Sequence, residues 1–184
     1  MKKLIPILMA LCLLSAACAQ RPREEAPPPP APEAPAVPEP PAPEEEGRAL
    51  ERLTVELVVD WEDTDRVLEG RAELERLLQA ALAGQAWTVE EVQITISTAG
   101  GPTGDALAAG GVDAACLPEE DCEAREADAF PVLAAPGRVL AVTGAREELD
   151  GDFRAALAEA LLETEEGAAF LSLYSPDTVY TAAP

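Results

Sequence analysis

What this 184-residue chain can do chemically is narrowed first by what it lacks. It has no histidine, which removes the commonest general base and nitrogen ligand and excludes Ser-His-Asp and Cys-His nucleophilic sites. No phosphate loop and no metal-ligand spacing can be read, so no catalytic residue, metal or cofactor is expected, and the chain is not expected to be an enzyme. Carboxylates, a few hydroxyls, glycines, cysteines and one well-placed tryptophan remain. Trp61 can stack a flat or cationic group, and Asp60, Glu62, Asp63 and Glu119 suit an amine or a cation, unless they form only a solvated acidic surface. Gly100 and Gly101, followed by Thr103, offer unblocked backbone amides to an anion if a helix starts there; the alternative is a plain turn.

The elements that must position these residues begin with a leader. Lys2 and Lys3 precede an apolar run over residues 4–14 that is too short to span a bilayer, so residues 1–17 read as an export signal. Leu14-Ser15-Ala16-Ala17-Cys18 resembles the lipobox of bacterial lipoproteins, which implies acylation of Cys18 and attachment to a membrane through several acyl chains. The alternative is an ordinary signal peptide in which Cys18 is incidental. Once the leader is gone, Cys116 and Cys122 are an even pair in an oxidising compartment. They are either a short-loop disulfide or two thiols on a strand and a helix.

Residues 1–17 carry both lysines and no acid, so their removal takes the formal net charge from −22 to −24 and leaves eleven arginines as the only cations. That balance argues against nucleic acid as a partner. Residues 18–47 form a Pro/Ala/Glu-rich linker able to extend ~80 Å as polyproline II. Residues 48–184 then read as one α/β domain, expected to be monomeric.

Within that domain the hydrophobic periods alternate. Strands are expected over 53–59, 89–97, 112–117, 130–135 and 139–143; helices over 65–83, 119–127, 152–162 and 165–174, with a short one ending at Gly110-Gly111. The pattern implies a parallel or mixed sheet flanked by helices. Ligands of such sheets bind beyond the carboxyl ends of the strands, which puts Asp60, Trp61, Thr98, Gly100, Gly101, Thr103, Leu117 and Glu119 on one rim as the candidate ligand-binding residues.

Several runs in this order resemble the first lobe of phosphonate-type solute-binding proteins of ABC importers: residues 53–60, 94–98, and Asp105-Ala106-Leu107-Ala108-Ala109-Gly110-Gly111-Val112-Asp113-Ala114. Residues 154–177 are similar to that family's C-terminal helices. The resemblance implies a type II periplasmic-binding-protein-like fold, extracytoplasmic localisation, a phosphonate-like small solute and an ABC permease as partner. The chain departs from the family in length. It passes from residue 133 through Pro136-Gly137 to Val139, so only a single lobe is expected. Glu119, Glu120 and Asp121 fall where a phosphonate would meet a helix start, which would repel the anion. Two functions follow: a solute-binding lipoprotein of an ABC importer with a degenerate ligand site, and a membrane-anchored single-lobe interaction or sensing module without a transport role.

Overall fold

A computed structural model describes residues 47–125 and 127–184. The export signal, Cys18 and the Pro/Glu-rich segment up to residue 46 lie outside the described residues. Six strands form one mixed sheet in the order β2-β1-β3-β5-β4-β6. Strand β1 (Arg48–Val59) runs parallel to β2 (Trp87–Thr98) along its whole length, from Arg48 opposite Trp87 to Val59 opposite Thr98. On its other side β1 runs parallel to β3 (Ala114–Pro118). Strand β5 (Arg138–Thr143) is antiparallel to β3 and to β4 (Ala129–Ala135), and the two-residue strand β6 (Thr181–Ala182) is antiparallel to β4. The expected α/β sheet with flanking helices is therefore present.

The two faces of the sheet follow from the alternation of side chains along each strand. Leu53, Val55 and Leu57 of β1 are buried on one face with Ala114 and Cys116 of β3. Four helices cover that face: α1 (Thr64–Glu69), α2 (Arg71–Ala83), α5 (Gly151–Glu163) and α6 (Glu165–Tyr174). Helix α2 contributes Leu74, Leu77, Leu78, Ala81 and Leu82, spaced as one helical stripe. Phe153 of α5 meets Trp87 edge-on with ring centroids 5.0 Å apart. Each large aliphatic or aromatic side chain so buried contributes ~1.5–3 kcal/mol. Among the described residues the opposite face carries only the short helices α3 (Thr103–Ala108) and α4 (Glu119–Glu123), packed on Val58, Ala115, Leu117 and Ala141.

Capping fixes where α5 and α6 begin. The Asp150 carboxylate accepts from the backbone amides of Asp152 and Phe153, both at 3.0 Å, and the Thr164 hydroxyl accepts from Gly167 N at 2.9 Å. The single helix expected over 65–83 is instead a 3₁₀ turn (Trp61–Asp63), then α1 and α2 separated by Gly70. Glycine is a poor helix residue, and an added Cβ at Gly70 would stand 3.3 Å from Leu173 of α6, a close approach that a larger side chain would disturb. The long edge strand β2 is guarded by α2: Glu75 accepts from Ile94 N at 3.0 Å and the Gln79 amide donates to Val89 O at 2.6 Å. Satisfying an exposed edge in this way removes a template for strand pairing between molecules.

Candidate functional site

Strands β1, β2 and β3 end at the same edge of the sheet, and a cleft of about 230 Å³ opens there between Asp60, Asp63, Arg138, Tyr174 and the loop 175–178. Its floor is a hydrogen-bonded cluster. Arg138, the first residue of β5, directs Nη1 to Val58 O at 2.7 Å and to the Tyr174 hydroxyl at 3.2 Å, and Nη2 to Asp60 Oδ2 at 2.8 Å. The Tyr174 hydroxyl itself donates to Val58 O at 2.7 Å. Arg66 of α1 supports two of the lining residues: it pairs with Asp63 at 3.0 Å and donates to the last carbonyls of α6, Leu173 O and Tyr174 O. Those carbonyls have no partner within their own helix, so the guanidinium satisfies them and complements the helix dipole.

Behind the cleft lies a buried thiol. Cys116 Sγ lies 3.6 Å from the Tyr180 hydroxyl. Burial pushes the Cys116 thiol up from its ordinary value, against the smaller opposing effects of Tyr174, Tyr180 and Arg138. Burial also drives the phenols of Tyr174 and Tyr180 well above their usual range, reinforced by Cys116. These groups are neutral at physiological pH, and a protonated, buried thiol is not a nucleophile. Burial would lower the affinity of Arg138 for its proton, but Tyr174 and Asp60 outweigh it, so the cleft keeps a cation at its floor.

The candidate residues do not all share this cleft. Asp60 lines it. Trp61 stands next to Asp60 with 82 % of its surface exposed, and Thr98 is level with Val59 across the β1–β2 register. Thr103 is buried, donating to Glu56 Oε1 at 2.8 Å and lying 3.1 Å from Ser97 Oγ, so its hydroxyl is committed to the fold. Gly100 has φ +89°, a conformation that favours glycine, and an added Cβ there would meet nothing within 4 Å. The helix that follows Gly100 and Gly101 has only six residues. Leu117 is buried with the smaller core cluster. Glu119 is exposed beside a different depression, with Cys122, Ala129, Pro131 and Val139.

The disulfide between Cys116 and Cys122 is not formed; both are thiols. Side chains alternate along β3, so Cys116 joins the larger cluster while Cys122, on α4, packs with Ala115 and Leu117 against the other face. Asp113, from the run that carries the family resemblance, has a structural role. Its carboxylate accepts from Thr54 N and Oγ1 at 2.7 and 2.9 Å and from Arg146 at 2.9 Å, which ties the loop before β3 to β1.

The residues missed from the sequence are Arg138, Tyr174 and Arg66. An arginine opening an apolar strand directly after Pro-Gly was the available signal for Arg138, and a tyrosine closing an apolar helix was the signal for Tyr174. Among the described residues no three His, Cys, Asp or Glu side chains gather as metal ligands. No protein-family model matches the sequence, and comparison with curated proteins and with solved structures yields no match.

Proposed function

We propose that the protein is a lipid-anchored extracytoplasmic module in which a single lobe, of periplasmic-binding-protein type, presents its strand-end cleft to a partner protein. The observation that carries this reading is the connection between β4 and β5. Ala135 pairs with Arg138 across a two-residue turn, Pro136-Gly137, with Gly137 at φ +73°. A clamp that closes on its ligand needs a second lobe, and the family resemblance would insert one here; a tight hairpin turn occupies the position instead. The exposed apolar residues fit a docking role. Trp61 and Val179, 82 % and 79 % exposed, adjoin the cleft-lining residues Asp60 and Thr178. The tether would leave from Gly47, at the start of β1, roughly 35–40 Å from the cleft at its end.

A photoreactive amino acid in place of Trp61, in the full chain expressed in its own cells, tests this. One light-dependent adduct with a defined extracytoplasmic protein is expected, lost when Arg138→Glu is added, with palmitate incorporation abolished by Cys18→Ala. Absence of any adduct while the domain remains folded overturns the partner reading. The second reading, a solute receptor of an ABC importer for phosphonate-like ligands, is favoured by the cation at the floor of the cleft. It would be supported if the adduct proved to be a permease subunit.

A further inference from the structure

The ion pair in the cleft is unevenly built. Arg138 is fixed: only 25 % of its side chain is exposed, and Nη1 spends its protons on Val58 O and the Tyr174 hydroxyl, leaving Nη2 directed at the opening. Asp60 is not fixed. Its side chain is 68 % exposed, and the contact to Arg138 at 2.8 Å is its only ion pair among the described residues. A guanidinium held rigidly at the floor of a cavity is a site pre-organised for a planar anion. An exposed carboxylate resting on it is weakly held, because surface ion pairs contribute little and are screened by salt.

We infer that Arg138 is a carboxylate-binding group and that Asp60 occupies it as a built-in counter-ion, exchangeable for the carboxylate of a small ligand. The side chain of Asp60 stands where an acetate ion would bind. The other carboxylates of the cleft do not take its place: Asp63 is engaged by Arg66 at 3.0 Å, and Asp177 makes no ion pair with Arg138. At about 230 Å³ the cleft is smaller than the ~300–1,000 Å³ of sites for drug-sized ligands, so it suits a molecule of few heavy atoms or the tip of a larger one. The inference stands apart from the identity of the partner, since it concerns one guanidinium and what can displace its counter-ion.

Acetate is the probe, titrated into the full chain, Asp60→Ala and Asp60→Asn at constant ionic strength with chloride as the balancing anion. Tryptophan fluorescence reports Trp61 beside the site, and the Arg138 Nε–H resonance reports the guanidinium. Saturable binding about two- to fivefold tighter in Asp60→Ala than in the unsubstituted chain is expected, with Asp60→Asn between them because its amide oxygen still accepts from Nη2. Adding Arg138→Gln to Asp60→Ala abolishes the response. No saturable change in either Asp60 variant, or an equal change in the double variant, overturns the inference. The photo-adduct at position 61 is unaffected by either result, so the two readings fail separately.

Discussion

The two faces of the sheet differ more than their shared strands would suggest. On the face covered by α1, α2, α5 and α6, 29 buried residues form one cluster, against eight on the face covered by α3 and α4, among the described residues. The thick face holds the fold. On the thin face β1 and β2 expose Arg52, Glu91, Gln93 and Thr95 in place of apolar side chains. The bulk of the apolar core and the cleft therefore lie in different parts of the molecule, the cleft at the strand ends, with Val59 and Tyr174 the members of the larger cluster that reach it.

Truncations of matched residues should break or confirm this contrast. Leu157 on the thick face and Leu107 on the thin one are both fully buried. Leu157→Ala is expected to cost about 4 kcal/mol and Leu107→Ala about 2 kcal/mol, because a residue near the surface leaves a cavity that its neighbours or water can fill. Equal midpoint shifts in urea unfolding would remove the distinction. Between these two lies the effect of Gly167→Ala. A Cβ there would stand 2.0 Å from Ala160 O, so α5 and α6 must separate, at about 3 kcal/mol by overpacking. A thermal unfolding midpoint unchanged by this substitution would mean that the crossing is looser than described. The smallest effect is kinetic and concerns the thiols. Cys122 borders the open depression beside α4, and Cys116 lies inside the thick core. Iodoacetamide should therefore modify Cys122 before Cys116 in the folded protein, with both reacting at similar rates in denaturant. Faster labelling of Cys116 would overturn the assignment of faces.

Much of the fold is written in local periodicity. The alternation in residues 53–59 and the stripe from Leu74 to Leu82 identify β1 and α2 because each element buries one face, and that signal is carried by a few neighbouring residues. Asp150 and Thr164 mark helix starts by the same local logic. The site is less legible because its bonds join distant positions: Arg138 to Asp60, Tyr174 to Val58, Arg66 to the end of α6. Nothing in the spacing of an arginine and a tyrosine 36 residues apart states that their side chains meet. The close spacing of Cys116 and Cys122 had the opposite effect, making a bond look natural where the turn into α4 carries the second cysteine around to the other face. β6, at two residues, is too short to have a period.

The position of Gly47 has a mechanical consequence. Arg48 is clasped by Asp152 at 2.6 Å and Asp150 at 3.4 Å and lies over the Trp87 ring, so the first residue of β1 is bound to both α5 and β2. A force applied at Gly47 along the axis of β1 acts on a strand bonded in parallel to β2 and β3 on either side. That load is a shear shared among many hydrogen bonds at once, the geometry in which a sheet resists force best.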